Sequence, residues 1–224
     1  MDKPLIVIPA AGFGTRMGLS PTQSKELLQD PYNDNKPLIQ WSLDLTNGYN
    51  RVIVTREDKS DLIDYMYSEE RLQDDKIFVS LITDVCKEWP NSVLHSEPHW
   101  EEKNILILPD TRFQPLDIVS KIEQELETND IVFACHKIED CRQWGKVLLD
   151  PFISKPLATI EKEGIEFKLE GLAWGIIGFR NNIGKELFTH YLNKTRFNLT
   201  NKKVSVILLE RFKDITRTGI IEEY

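Results

Sequence analysis

A run of small residues with one arginine follows the first apolar segment of the chain. After "LIVI", residues 5–8, the chain continues "PAAGFGTRMG", in which Gly12 and Gly14 flank a phenylalanine and Arg16 supplies a fixed positive charge. Glycines let the backbone approach a ligand closely, and clustered backbone N–H groups can hold phosphate oxygens. The arginine guanidinium adds a donor fork that suits phosphate. These residue types predict a loop that binds a phosphorylated ligand.

Three interpretations of this loop stay open on its residues alone. A dinucleotide-binding loop has the pattern GxGxxG and leads into a helix, whereas here Gly18 stands one place too late and a proline-containing stretch follows. A P-loop has the pattern GxxxxGK[ST], and the sequence contains no such string. A tight turn with an exposed arginine accounts for a lone GxG equally well.

A carboxylate stands at the end of a second apolar run. In "NILILPDTRF", residues 104–113, Asp110 follows the apolar run at 105–108. This places Asp110 at the carboxyl edge of a strand, where ligands bind in open parallel sheets. Carboxylate oxygens are suitable ligands for Mg²⁺, which takes few of its ligands from the protein. The simpler alternative is an aspartate that caps the following turn.

Short apolar runs rich in β-branched residues alternate along the chain with segments of helical periodicity. Strands are predicted at residues 5–9, 51–55, 77–82, 104–108, 131–135, 146–149, 174–179 and 204–209. Helices are predicted at residues 36–45, 59–67, 115–127 and 183–192. Strands that alternate with helices indicate an α/β fold with a largely parallel sheet. We expect residues 1–224 to form one domain with a strand-rich insertion at about 140–175.

Composition and charge exclude some classes of function. The 224 residues carry a net charge of −8, so nucleic acid and anionic membranes are not expected as partners. A small phosphorylated ligand is still allowed, because it requires only a local basic pocket. Cys86, Cys135 and Cys141 form no CxxC pair and are expected to be reduced thiols. With no leader pattern and no apolar stretch of membrane-spanning length, we expect a cytoplasmic protein.

Three strings taken together resemble the signature of one enzyme family. They are "AAGFGTRM" at 10–17, "SKELL" at 24–28 and "KPLIQW" at 36–41. The combination is similar to that of the nucleoside-diphosphate-sugar pyrophosphorylases, or sugar-1-phosphate nucleotidyltransferases. It looks most like the glucose-1-phosphate uridylyltransferase and thymidylyltransferase branch. The resemblance implies a Rossmann-like, three-layer α/β sandwich with a mostly parallel, mixed central sheet.

The resemblance implies catalytic roles for two cations, Arg16 and Lys25, which would neutralise charge on the reacting phosphates. It assigns nucleotide binding to Ala10, Ala11, Gly12, Gly14, Thr15, Arg16 and Asn91. The base-recognition segment, "TDVCKEWPNSVLHS" at 83–96, matches the family least. There Asn91 or Ser92 stands at the family's glycine, and Asp84 near its glutamine. Trp89 is expected to pack in the core or at its edge rather than to stack on a base.

The resemblance also implies a metal site. Asp110 matches the family's strand-ending aspartate. Asp214, in "DITRTGIIEEY" at 214–224, resembles the second metal ligand, although Thr216 stands where the family has glycine. The implied cofactor is Mg²⁺, held by Asp110 and Asp214.

Three further strings resemble the stretches of the family that bind the sugar phosphate. They are "WGKV" at 144–147, "IEKE" at 160–163 and "AWGIIGF" at 173–179. By this resemblance Lys162 grips the sugar phosphate and Glu161 binds sugar hydroxyls. Gly145 and Gly175 would allow close approach of the sugar ring.

The function that the resemblance implies is Mg²⁺-dependent, in-line nucleotidyl transfer. An NTP, with UTP or dTTP favoured, and a sugar 1-phosphate would form an NDP-sugar and pyrophosphate. Two alternatives stay open: a cytidylyltransferase for a small phosphorylated alcohol such as phosphocholine, and a non-catalytic domain of this fold that senses a nucleotide or sugar phosphate. The expected partners are the two small substrates, without nucleic acid or membrane, and a homo-oligomer is an alternative to a monomer.

Overall fold

The computed structural model describes residues 2–20, 22–68, 76–82, 88–137, 144–150, 152–161 and 171–216. The strands are β1 (Leu5–Pro9), β2 (Gln29–Asp30), β3 (Lys36–Pro37), β4 (Arg51–Arg56), β5 (Ile77–Ile82), β6 (Lys103–Ile107), β7 (Thr111–Gln114), β8 (Ile131–Lys137), β9 (Lys146–Leu149), β10 (Pro156–Ile160), β11 (Gly171–Arg180), β12 (Phe197–Asn198), β13 (Val204–Leu208) and β14 (Arg211–Asp214). The helices are α1 (Leu38–Leu45), α2 (Ser60–Met66), α3 (Trp89–His95), α4 (Ile118–Glu125) and α5 (Asn181–Leu192).

A ten-stranded mixed sheet lies at the centre of the described chain. Its order is β12-β10-β9-β11-β6-β1-β4-β5, with β8 also pairing to β11 and β13 to β8. The pairs β1–β4, β1–β6, β4–β5 and β8–β13 are parallel. Strand β11 is antiparallel to β6, β8 and β9, and β10 is antiparallel to β9 and β12. In this sheet, as far as the structure describes it, β10 and β11 alone run in the opposite direction to the other strands. This confirms the predicted mostly parallel, mixed arrangement.

Helices cover both faces of this sheet. Along β1, Leu5 and Val7 pack into a core cluster with residues of α3 and α5. The alternate residues Ile6 and Ile8 pack into a second cluster with residues of α1, α2 and α4. Because successive side chains of a strand point to opposite faces, the two clusters are the two faces of one sheet. This arrangement is the three-layer α/β sandwich that was predicted.

The apolar runs predicted strands more accurately than the periodicity predicted helix ends. Strands β1, β5 and β9 have the predicted bounds, whereas β11 is longer because it pairs with β6, β8 and β9. Helix α1 begins at Leu38 rather than at residue 36, because Lys36–Pro37 pairs with Gln29–Asp30 as a short ribbon. Helix α3 and the ribbon strands β7 and β14 carry no long apolar run and were not predicted.

The parallel strands β1 and β6 end at the same edge of the sheet. Val7 pairs with Leu106, so the glycine loop after Pro9 and Asp110 after β6 leave the sheet side by side. Strand β14 then pairs with β7 in antiparallel register, with Asp214 opposite Thr111. This ribbon returns a distant part of the chain to the same edge, where ligands bind in sheets of this type.

Strands β9 and β10 form an antiparallel hairpin within the predicted insertion, and they extend the central sheet. The division of the chain into domains stays a prediction. Over the described ranges, every helix is too short or too polar to cross a membrane. Cys135 is a buried free thiol, and burial raises its pKa; Cys86 and Cys141 lie outside the described residues.

Candidate active site

One cavity of about 340 Å³ lies at the carboxyl edge of the sheet. This volume is in the range of small-molecule binding sites. The charged side of the cavity includes Gly12, Arg16, Lys25, Asp110 and Asp214. A second group of lining residues is mostly aromatic and comprises Trp89, Trp144, Gly145, Glu161, Trp174 and Phe212. The residues that line it come from segments spread over two hundred positions of the chain.

The glycine loop begins inside the protein and ends at its surface. Ala10 and Ala11 are buried, whereas Gly12, Thr15 and Arg16 are exposed. Gly14 and Gly18 have φ values of 64° and 68°, in the left-handed region that favours glycine, and they bound a turn of 3-10 helix. The turn places the Arg16 side chain at the cavity. The loop is therefore open to a ligand rather than sealed within the fold.

Lys25 forms an ion pair with Asp110, and both side chains line the cavity. Burial by itself would raise the pKa of Asp110. The positive charge of Lys25 and the hydrogen bonds from Lys25 and Thr216 outweigh burial and lower this pKa to about 2. Burial likewise disfavours the charged form of Lys25, but Asp110 and Glu26 raise the pKa of its ammonium. Both side chains are therefore charged at neutral pH.

Asp214 joins this pair through the β7–β14 ribbon. The Ile215 N–H donates to the Asp110 carbonyl at 3.1 Å, and Thr216 Oγ1 donates to Asp110 Oδ2 at 2.6 Å. Burial and the negative charge of Asp110 raise the pKa of Asp214, whereas Lys25 and Arg16 act in the opposite direction. Asp110 and Asp214, predicted as partners from positions 104 residues apart, are thus close enough to influence each other's ionisation.

The two carboxylates fit a magnesium ion. Within the described ranges, no group of three or more His, Cys, Asp or Glu side chains is arranged to hold a metal. Mg²⁺ usually takes only one or two carboxylates from the protein, together with water and substrate phosphates. A cation between Asp110 and Asp214 would also offset the repulsion that raises the pKa of Asp214. The donor set therefore suits Mg²⁺, and its occupation by this metal stays a prediction.

Aromatic rings and one buried carboxylate dominate the second group of lining residues. Trp89 Nε1 donates to Glu161 Oε1 at 3.1 Å, and Glu161 is only 5% exposed. The Trp89 ring meets Trp174 edge-on at 5.4 Å, and Trp174 stacks on Tyr191 at 5.8 Å. Aromatic faces beside a carboxylate suit the C–H faces and hydroxyls of a sugar, and they also suit an organic cation.

Gly145 and Gly175 make room for aromatic rings. A Cβ at Gly145 would lie 2.2 Å from the Trp174 ring, and a Cβ at Gly175 would lie 2.3 Å from the Phe212 ring. Both glycines therefore serve packing whether or not a ligand is bound. Gly145 also lines the cavity. The predicted contact of both glycines with a sugar stays a prediction.

Seven of the fourteen predicted site residues line the cavity, namely Gly12, Arg16, Lys25, Asp110, Gly145, Glu161 and Asp214. Ala10, Ala11, Gly14, Thr15 and Gly175 lie in the same segments but do not line it. Asn91 lies half-buried on α3 and does not line the cavity, so its nucleotide contact stays a prediction. Lys162 and Asp84 lie outside the described residues. The sequence did not point to Phe212 as a lining residue, because a single aromatic residue carries no spacing signal, and it marked Trp144 only as part of the "WGKV" string. Thr216 was noted only as a departure from a pattern.

By sequence, the chain matches no family model and no curated protein. Solved structures with the same fold are nevertheless found. A protein of Bacillus anthracis described as a glucose-1-phosphate thymidylyltransferase, solved with sucrose, superposes with a TM-score of 0.70 at 15% identity, covering 96% of this chain and 90% of that one. The UTP-bound UGPase of Acinetobacter baumannii has a TM-score of 0.70 at 16% identity, with coverages of 98% and 90%.

A third similar structure is a UDP-glucose pyrophosphorylase complexed with UDP-glucose. It has a TM-score of 0.71 at 19% identity, and the match covers 98% of this chain and 94% of that one. At such identities the similarity establishes the fold. The chain thus has the Rossmann-like α/β fold of these nucleotidyltransferases, as predicted from its motifs.

Proposed function

We propose that this chain is an enzyme that makes an NDP-sugar and pyrophosphate from an NTP and a sugar 1-phosphate. The observation that carries the proposal is that Lys25, Asp110 and Asp214 line one cavity together with the glycine loop, with Thr216 bonded to Asp110 behind them. A phosphate-binding loop, two cations and two adjacent carboxylates are the groups that nucleotidyl transfer requires. The nucleotidyltransferase structures with this fold support the same activity.

In the proposed reaction, a phosphate oxygen of the sugar 1-phosphate attacks the α-phosphorus of the NTP. The bond from that phosphorus to the oxygen that bridges to the β-phosphate breaks, and pyrophosphate leaves with this electron pair. The attacking oxygen is already ionised, so no general base is needed. Catalysis then depends on positioning and on neutralising charge. Arg16 and Lys25 would neutralise the phosphates, and backbone N–H groups of the glycine loop would hold their oxygens.

Asp110 and Asp214 would hold Mg²⁺, which when bound would neutralise charge on the α-phosphate and on the leaving group. Lys25 donates a hydrogen bond to a carboxylate oxygen of Asp110. We expect its ammonium to turn from Asp110 to a phosphate oxygen of the bound NTP, because a second cation at Asp110 disfavours the first.

The sugar 1-phosphate would bind on the aromatic side of the cavity. Glu161 would accept hydrogen bonds from sugar hydroxyls, with the Trp89 indole holding its carboxylate in place. Lys162, adjacent in sequence, is proposed to bind the sugar phosphate. UTP or dTTP is the proposed donor, since the similar structures include a UTP-bound UGPase and a thymidylyltransferase. We also propose that the enzyme acts in the cytoplasm.

A second candidate function is a cytidylyltransferase that acts on phosphocholine. The observation that favours it is the grouping of Trp89, Trp144 and Trp174 with the buried Glu161 around one cavity. Quaternary ammonium groups are bound by aromatic faces and by nearby negative charge. The same surface therefore accommodates a choline headgroup as well as a sugar ring.

The two functions are distinguished by which acceptor supports the release of pyrophosphate from the NTP. The protein is incubated with Mg²⁺, with each NTP in turn, and with a panel of sugar 1-phosphates and phosphocholine. Pyrophosphate release with a sugar 1-phosphate supports the first function, and release with phosphocholine alone supports the second. Binding of these ligands without any turnover would overturn both and indicate a sensor domain.

A matched pair of variants ties the activity to the site. Asp110→Asn should abolish metal-dependent turnover. Asp117→Asn, on the exposed side chain that pairs with Lys121, should leave turnover unchanged. Normal turnover in Asp110→Asn would remove Asp110 from the mechanism.

A further inference from the structure

Two carbonyl oxygens at the start of the glycine loop are each held by a cation. Arg56 Nη1 donates to the Ala11 carbonyl at 2.7 Å, and Lys59 Nζ donates to the Ala10 carbonyl at 2.8 Å. Arg56 ends β4, and Lys59 immediately precedes α2. The two side chains are 3% and 0% exposed, so both cations are inside the protein beneath the loop.

Arg56 contacts the loop at two points. Its guanidinium lies over the Phe13 ring at 3.9 Å from the ring centroid, in addition to the bond to Ala11. Its Nε donates to Asp58 Oδ1 at 2.8 Å, which fixes the plane of the guanidinium. Arg56 therefore holds the residues on either side of Gly12. Lysine could not make the same set of contacts, because it lacks a planar fork of donors.

The orientation of a carbonyl fixes the orientation of the next N–H. In a planar trans peptide the C=O and the N–H point in opposite directions. The bond from Arg56 to the Ala11 carbonyl therefore turns the Gly12 N–H away from Arg56. In the described part of the chain, this N–H has no hydrogen bond to another residue, and Gly12 lines the cavity. A donor is thus available at the cavity without any rearrangement of the loop.

We propose that Arg56 is a positioning residue that keeps the glycine loop in its ligand-binding conformation, with the Gly12 N–H available to an anionic ligand. Carbonyl oxygens facing the cavity would repel a phosphate, and Arg56 holds one of them on the opposite side of the backbone. The loop then loses less conformational entropy when a ligand binds, which strengthens binding. The identity of the ligand as an NTP rests on the proposed function, whereas the effect on loop order does not.

Loop order is measured in the ligand-free protein by ¹⁵N relaxation of the Gly12 amide. In the wild type we expect an order parameter of about 0.85, typical of rigid backbone, and in Arg56→Gln and Arg56→Lys a value below about 0.6. Arg180→Gln is the matched control. Arg180 also bonds a carboxylate and backbone carbonyls, those of Glu102, Leu126 and Glu127, none of which lines the cavity. The Arg180→Gln variant should leave the Gly12 amide rigid.

Binding is measured by calorimetry with UTP, dTTP and CTP in the presence of Mg²⁺. We expect Arg56→Gln and Arg56→Lys to raise the dissociation constant of the bound nucleotide about tenfold, because binding must then also order the loop. If turnover is observed, the KM for the NTP should rise and kcat should change little. Wild-type protein that binds no NTP would count against the proposed function, and the order parameter would still decide the role of Arg56.

Phe13→Leu covers the case in which Arg56 variants do not fold. Phe13 is half-exposed, so this variant should fold while it loses the contact with the guanidinium. We expect a smaller fall in the Gly12 order parameter than in the Arg56 variants. A rigid Gly12 amide in every folded variant, with unchanged nucleotide affinity, would overturn the proposal.

Discussion

Thr216 Oγ1 donates a 2.6 Å hydrogen bond to Asp110 Oδ2, across 106 residues of sequence, and lies 3.3 Å from Asp214 Oδ1. The hydroxyl has a single hydrogen, so its strong bond is to Asp110, and Asp214 lies within reach of the same oxygen. Thr216 thus stands between the two carboxylates, at the position where the pattern that the sequence resembles has a glycine. Its hydroxyl helps to keep Asp110 ionised in the absence of a metal.

Replacing Thr216 by valine should destabilise the protein. Valine keeps the shape of the side chain but removes the donor from a buried carboxylate, which lowers the free energy of unfolding by about 1–3 kcal/mol. Chemical denaturation measures this change. Thr189→Val is the control, because the Thr189 hydroxyl bonds the Lys185 carbonyl on the exposed face of α5. Equal stability of the two variants would show that the Thr216 hydroxyl contributes nothing.

Replacing Lys25 by methionine should tighten divalent-metal binding while it abolishes turnover. The Lys25 ammonium competes with a metal ion for Asp110, so its removal leaves both carboxylates available. Titration of the nucleotide-free protein with Mn²⁺, followed by electron paramagnetic resonance, measures the affinity. Lys121→Met, on the exposed surface of α4, should bind Mn²⁺ as the wild type does. Weaker Mn²⁺ binding in Lys25→Met would argue against a metal at Asp110.

Replacing Trp89 by phenylalanine should weaken binding of the acceptor alone. The variant keeps an aromatic ring but leaves Glu161 Oε1 without the indole donor, so the carboxylate is less well oriented. We expect the KM for the sugar 1-phosphate to rise about tenfold, with the KM for the NTP unchanged. Trp100→Phe loses an equivalent indole bond, to Ser96, outside the cavity and should leave both constants unchanged. An unchanged acceptor KM in Trp89→Phe would contradict a role for this bond.

Alanine at Gly12 should weaken nucleotide binding, whereas alanine at Gly175 should destabilise the protein. At Gly12 the nearest atom to a new Cβ is Lys25 Cε at 3.9 Å, so stability should be unaffected. The methyl group would nevertheless keep a phosphate from close approach, and we expect NTP affinity to fall about tenfold.

At Gly175 the Phe212 ring lies 2.3 Å from a new Cβ, and alanine should lower the free energy of unfolding by about 1–3 kcal/mol. Thermal unfolding and calorimetry of both variants measure these effects. A destabilised Gly12→Ala variant, or a fully stable Gly175→Ala variant, would show that the loop or the ribbon packs differently.

Much of the fold could be predicted because its signals are local. The apolar run of β1 and its alternation between two faces are properties of neighbouring residues. The same holds for α4, whose apolar residues recur at helical spacing, although its ends at Ile118 and Glu125 are set by contacts that periodicity does not encode. The ribbon of β7 and β14 escaped prediction because each strand has only four residues and depends on the other for its hydrogen bonds.

The sequence by itself determined the glycine loop with Arg16 and the strand-end position of Asp110, because both follow from the order of residue types over a few neighbouring positions. Only the tertiary structure decided that Asp214 and Thr216 lie against Asp110, that Trp89 binds Glu161, and that Arg56 holds the loop. These contacts join residues 45 to 106 positions apart. Such pairs depend on strand register and on the packing of whole elements, and no short stretch of sequence encodes either of these.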